Sequence, residues 1–259
     1  MSAQTKDRRV FIVTGSASGV GEATALGLAR RGDRVVINCS KSVGEAERVA
    51  AACAGVGGEA IVVQANVAID ADCQRLAKAA LDKWGRIDGL VNNAGTTKFA
   101  PMHDLAALSA DDFHAIYAVN TIGAYQTVRA CEGALREARG SIVNVSSIAS
   151  NQGRASSIAY AASKGALNAM TICLARSLGP AIRVNAVLPG FIETRWLQQG
   201  LGPDLYAKVR ADYRAAAALD AVLSTDDVAD AILWLLDAEK VTGQLMTVDA
   251  GRGVGAHPR

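Results

Sequence analysis

The chain has 259 residues, half of them hydrophobic, with 20% charged residues and a formal net charge of +2. That length can bury a sizeable core in one domain, and the interspersed charges, with no basic block, argue against a nucleic-acid partner. No apolar run reaches the roughly 18 residues of a membrane span, and the opening MSAQTKDRRV lacks the apolar stretch of a secretory leader, so the expectation is a cytoplasmic protein without a membrane partner.

A β-branched run, RVFIVT at 9–14, leads through the glycine-rich corner TGSASGVG into a helical pattern over 20–31. Strand runs follow at 34–39, 59–65, 87–93, 141–147, 182–188 and 244–250, alternating with helical patterns at 43–55, 70–84, 109–138, 157–178 and 225–237. Most strand runs are apolar throughout, as in strands buried on both faces. Strand–helix alternation implies parallel pairing through right-handed crossovers. The expectation is therefore an α/β fold, a doubly wound parallel sheet of about seven strands with helices on both faces, forming one domain over 1–259. The last helix has Ser224 and Thr225 as candidate caps and aligns Val228, Ile232 and Leu235 on one face. Two stretches, 96–109 and 190–224, read as irregular excursions at strand ends, where an open α/β sheet places its ligand crevice. A substrate loop is expected over about 190–222.

Cys39, Cys53, Cys73, Cys131 and Cys173 are widely spaced with no Cys-x-x-Cys, which reads as buried small hydrophobes rather than a disulfide or zinc framework. His103, His114 and His257 are equally scattered, and no metal is expected.

Three stretches carry chemistry. Gly15, Gly19 and Gly21 sit where the first strand turns into the first helix. Glycines there permit close backbone approach, and the free N–H groups and positive dipole end of the helix favour a phosphate. The second strand ends VVINCSKS with no carboxylate from Asn38 through Val43. Ser40 and Lys41 offer donors and a positive charge in the place where an acidic residue would select NAD(H), so NADP(H) is favoured while NAD(H) remains open. Finally, SSIAYAASKG places Tyr160 and Lys164 four apart, on one face of a helix. An ammonium beside a phenol favours phenolate, and the pair is expected to lower the tyrosine pKa towards working pH for general acid catalysis. The small residues around them leave room for a neighbouring backbone or cofactor.

In order along the chain, TGSASGVG, NNAG at 92–95, VNTIG at 119–123, YAASK at 160–164, PGFIET at 189–194 and TGQLMTVDAG near the end resemble the motifs of the classical short-chain dehydrogenase/reductase family. The resemblance covers essentially the whole chain and implies a Rossmann-type oxidoreductase moving hydride between a nicotinamide cofactor and a carbonyl/alcohol pair. It implies Tyr160 as general acid/base, Lys164 as the residue that holds the nicotinamide ribose and depresses the tyrosine pKa, and Asn120 as the holder of a water in a proton relay to Lys164. The family's serine lies thirteen residues before the tyrosine, which selects Ser147 over Ser146. Cofactor contacts are implied at Gly15, Ser18, Gly19, Val20 and Gly21, at Asn66 and Val67 near adenine, and at Asn93, Ala94 and Gly95 near the ribose. Pro189, Gly190, Ile192 and Thr194 are implied near the carboxamide.

Two positions depart from the family pattern. Asn66 stands where an aspartate often holds adenine, and Ser18 stands where many NADP-using members carry a cation. Family members commonly form homodimers or homotetramers through their long helices. Phe99, Phe191, Trp196 and Tyr206 are candidate walls for a small carbonyl or alcohol substrate. A non-catalytic nucleotide sensor on the same fold is the competing reading; the intact set Asn120, Ser147, Tyr160 and Lys164 favours an enzyme.

Overall fold

The computed structural model describes residues 8–255. Seven parallel strands, β1 (Val10–Val13), β2 (Arg34–Cys39), β3 (Glu59–Gln64), β4 (Gly89–Asn92), β5 (Ser141–Val145), β6 (Arg183–Pro189) and β7 (Leu245–Val248), form one sheet in the order β3-β2-β1-β4-β5-β6-β7. The helices are α1 (Gly19–Arg30), α2 (Val43–Gly55), α3 (Asp70–Trp84), α4 (Ala110–Tyr117), α5 (Ala124–Glu137), α6 (Ala149–Gln152), α7 (Ile158–Leu178), α8 (Arg195–Leu201), α9 (Pro203–Ala216) and α10 (Thr225–Asp237).

The pleat of β1 shows why both faces of the sheet are covered. Phe11 and Val13 join a core with Leu28 of α1, Val49 of α2 and Ile232 of α10. Val10 and Ile12 point the other way, into a second core with Leu76 of α3, Val128 and Leu135 of α5 and Leu178 of α7. Alternate residues face opposite sides of a strand, so a run that is apolar at every position needs helices on both sides. β1, β4 and β5 are buried at every residue, whereas the edge strands β3 and β7 are only partly covered. Chain order reverses between β1 and β4, and a crevice opens beyond their carboxyl ends.

The helix expected over 109–138 is three segments. A π-helical turn, Ala118–Gly123, separates α4 from α5. Gly123 lies against Val67, where an added Cβ would stand 2.9 Å from the Val67 carbonyl oxygen. The stretch 190–224 is also more regular than expected. Thr194 caps α8 through the Leu197 N–H at 3.4 Å, Gly202 ends it at φ +73°, and Pro203 starts α9 at once. Ser224 forms a reciprocal capping box with Asp227 at the start of α10, and Val228, Ile232 and Leu235 are buried, matching the face read from the sequence.

Candidate active site

A cleft of about 1410 Å³ runs along the carboxyl ends of the strands, from the glycine turn to Trp196 and Arg252. Every residue expected to bind cofactor or substrate lines it except Gly21, Asn120 and Tyr206, the last of which lines a separate hollow with Gln198, Gln199 and Pro203.

The turn is held by amide side chains rather than by the helix cap. Gly15 (φ +61°) passes so close to Ala94 that an added Cβ would lie 2.9 Å from its Cα. Gly19 (φ +62°) instead faces open space. Ser18 caps no N–H of α1 with its side chain, so the first N–H groups of that helix are left for whatever occupies the cleft. Asn38, buried at the end of β2, accepts from the Gly15 N–H at 3.0 Å and donates to the Ala65 carbonyl at 3.0 Å. Asn93 donates to the carbonyls of Thr14 (2.9 Å) and Gly15 (3.0 Å), and Thr14 Oγ1 accepts from the N–H groups of Asn93 and Ala94. Both Asn93 amide protons are therefore committed to bracing the turn. Gly21 packs behind it, where a Cβ would stand 2.6 Å from both Asn93 Nδ2 and the Gly15 carbonyl oxygen. Gly21 does not itself line the cleft. Sequence reasoning passed over Asn38; an amide among the β-branched residues of β2 was the available signal.

Ser40 and Lys41 line the cleft beyond β2 and are exposed, with no salt bridge at Lys41 among the described residues. Asn66 accepts from the Ala68 N–H at 3.1 Å, a local turn that orients its carbonyl oxygen, while its own N–H is held by Asp72 at 2.7 Å.

Ser157 caps α7 by accepting from the Tyr160 N–H at 3.3 Å. One turn later Lys164 is buried, with Nζ donating to the Val145 carbonyl at 2.7 Å and lying 5.7 Å from the centre of the Tyr160 ring. The Ser147 hydroxyl lies on the phenol's side of the cleft and accepts from the Ala149 N–H at 3.1 Å. Ser146 is buried and donates to the Lys164 carbonyl at 3.2 Å. The two adjacent serines thus divide as expected from their spacing to the tyrosine: Ser147 faces the phenol and Ser146 braces α7.

The ionisation of the pair differs from expectation. Burial pushes the Tyr160 phenol up to about 12, only partly opposed by the nearby Ser147 hydroxyl. Burial likewise pushes the Lys164 ammonium down to about 8. Desolvation disfavours the charged form of each group and sets the direction of both shifts. The phenol is therefore a neutral proton donor at neutral pH, its net shift set by burial rather than by the neighbouring ammonium.

Asn120 sits in the π-helical turn behind the cleft. Its amide donates to the Thr96 carbonyl (3.0 Å) and to Ser163 Oγ (2.9 Å), and its oxygen accepts from the Thr96 N–H (2.8 Å). Both amide protons are spent, so its side chain fixes the segment after Gly95 against α7. Gly95 separates Asn120 from Lys164: a Cβ there would lie 3.5 Å from Asn120 Oδ1 and 3.6 Å from Lys164 Nζ.

At the far end, Trp196 lies 6.2 Å from the Tyr160 ring and 5.8 Å from Phe99, while Phe191 lies 5.4 Å from Tyr206 and 5.8 Å from Tyr213. Tyr213, which sequence reasoning did not single out, donates to the Asp249 carbonyl at 2.8 Å and fills the space that a side chain at Gly190 would need.

A family model described as enoyl-(acyl carrier protein) reductase matches residues 15–252. A provisionally named ketoacyl reductase 2 of the granaticin polyketide synthase from Streptomyces violaceoruber is 43% identical over 252 residues, covering 97% of this chain and 98% of that one. A solved structure from Burkholderia xenovorans, provisionally described as a short-chain dehydrogenase/reductase, superposes with a TM-score of 0.89 at 37% identity, over 97% of this chain and 100% of that one. This chain is a short-chain dehydrogenase/reductase. Its family's reach includes a 3-oxoacyl-[acyl-carrier-protein] reductase from Synechocystis, 36% identical over 248 residues, 94% of this chain and 96% of the relative. It is an oxidoreductase of carbonyl and alcohol groups, and members of the family use nicotinamide cofactors. The residues present suit such a cofactor: Gly19 leaves the turn open, and the uncapped N-terminus of α1 can receive a diphosphate. Among the described residues no helix is long and apolar enough to cross a membrane.

Proposed function

We propose that this protein reduces a ketone to a secondary alcohol with NADP(H), favoured over NAD(H), in a single domain whose 190–222 segment covers the substrate. The observation that carries this reading is that Ser147, Tyr160 and a buried Lys164 meet in the same cleft as the glycine turn. When bound, the reduced nicotinamide supplies hydride to the carbonyl carbon. Gly15, Ser18, Gly19, Val20, Ser40, Lys41, Asn66, Val67, Asn93, Ala94, Gly95, Pro189, Gly190, Ile192 and Thr194 hold that cofactor, and Gly21 lets the turn close on Asn93.

A substrate carbonyl oxygen placed between the Ser147 and Tyr160 hydroxyls accepts a hydrogen bond from each. The neutral phenol then gives its proton to that oxygen as negative charge develops there. Lys164 stabilises the resulting phenolate, and charge on the lysine is retained up to about pH 8. Asn120 keeps Thr96 and α7 in register around Lys164; the remaining lone pair of Oδ1 is left to hold a relay water.

Lys41 and Ser40 support the preference for a 2′-phosphate, since no carboxylate occupies 38–43 to compete for the ribose hydroxyls. Exposed Ile122 and Tyr125 near the start of α5 and Ile172 on α7 support assembly into a homodimer or homotetramer in the cytoplasm. The test is NADPH oxidation over a panel of ketones and 2-enoyl thioesters. Tyr160→Phe is expected to lower ketone turnover by roughly 10²–10⁴-fold with the NADPH dissociation constant within about threefold of wild type. Turnover unaffected by Tyr160→Phe, or reduction of the carbon–carbon double bond alone, overturns this assignment.

A further inference from the structure

Resting on the ketone reductase reading, we propose that Trp196 selects planar cyclic ketones, aryl-fused or polycyclic, over linear acyl chains. The wall beside the proton donor is aromatic and held in place from several sides. Trp196 lies on the first turn of α8, with its ring 6.2 Å from Tyr160 at an interplanar angle of 50°. Phe99 backs it at 5.8 Å and 57°. Gly200 on α8 lets the Phe99 ring rest against the helix backbone, since any side chain there would overlap that ring.

The Phe99 segment is anchored in turn. The Ala100 N–H donates to the Ser156 carbonyl at 2.8 Å, and the Thr97 and Ser156 hydroxyls share a hydrogen bond at 2.7 Å. These bonds tie the segment to the residue just ahead of α7, the helix that carries Tyr160. Yet 44% of the Trp196 surface remains accessible while the residue lines the cleft. Much of this aromatic side chain therefore stays accessible in the cleft, its ring centre 6.2 Å from that of the tyrosine that must touch the substrate oxygen.

A flat ketone seated on Tyr160 and Ser147 brings its ring system alongside this face. Offset or tilted stacking adds to the area it buries, and a rigid ring has no rotors to freeze. A linear chain of equal carbon number gains area only and loses chain entropy. The wall is already in place, so the difference is expressed as selectivity rather than absorbed in rearranging the site.

The experiment compares kcat/KM with NADPH for two ten-carbon ketones, 2-tetralone and 2-decanone. Wild type is expected to favour 2-tetralone by at least about tenfold, ~1.4 kcal/mol. Trp196→Phe keeps most of that ratio, and Trp196→Leu, apolar but not aromatic, brings it below about threefold. Binding of 2-tetralone is read separately as quenching of tryptophan emission, which disappears in Trp196→Phe although Trp84 and Trp234 remain. A wild type that prefers the linear ketone, or a Leu variant that keeps the ratio, overturns the proposal. If neither ketone is reduced, quenching that depends on Trp196 upholds the planar site and counts against the reductase reading alone; no quenching sinks the planar site itself.

Discussion

Lys164→Met should make the apoprotein more stable at pH 7 while removing its activity. The amine is buried in the wild type, and burial takes its pKa from 10.5 to about 8. A lowered folded-state pKa means that the unfolded chain binds the proton more tightly. The resulting instability is fully present below pH 8 and fades as pH rises to about 10.5. The shift corresponds to about 3 kcal/mol at neutral pH. Methionine has a similar shape and no charge to desolvate, but it leaves the Val145 carbonyl without its 2.7 Å partner, costing about 1 kcal/mol. The expected net gain is about 2 kcal/mol at pH 7, shrinking to nothing or reversing near pH 10.5. Urea unfolding of both apoproteins at pH 7 and at pH 10, followed by circular dichroism, measures it directly. A methionine variant no more stable than wild type at pH 7, or one whose advantage grows with pH, would refute the claim that Lys164 is kept at the site at the expense of stability.

The pH profile of ketone reduction should follow the same groups: kcat/KM holds through neutral pH and falls above about 8 as Lys164 loses its proton, with the Tyr160 phenol still protonated to about 12. A bell centred on a tyrosine near neutrality would contradict this. Lys41→Asp should lower the NADPH-to-NADH ratio of kcat/KM by at least about tenfold by replacing a phosphate partner with a carboxylate that repels it; steady-state kinetics with both cofactors measures it. Gly21→Ala forces a Cβ to 2.6 Å from Asn93 Nδ2 and the Gly15 carbonyl oxygen. It should cost about 1–3 kcal/mol of stability and weaken NADPH binding, measured by thermal unfolding and fluorescence titration, with Tyr160 and Lys164 still in place.

Much of this protein was legible from residue order alone. Runs such as VFIV in β1, apolar at every position, can only be buried on both faces, so the doubly wound sheet followed without coordinates. β2, α2, α3 and α10 span the residues read from the sequence, 34–39, 43–55, 70–84 and 225–237. The four-residue spacing of Tyr160 and Lys164 placed them on one helical face, and the count back to Ser147 separated it from Ser146.

Other features depended on partners distant in the chain. The π-helical turn at Ala118–Gly123 has the same hydrophobic pattern as the helices beside it, and only its packing on Val67 and Thr96 distinguishes it. The 190–224 stretch reads as an irregular excursion after β6, yet its Gly202 and Pro203 are the stop and start of two helices. Asn38, Asn93 and Asn120 owe their roles to carbonyls brought to them from other strands and loops. Sequence spacing determined that an ammonium stands beside a phenol. Only the folded chain decided which way each titrates, because desolvation is set by everything that closes around the pair and not by the four residues between them.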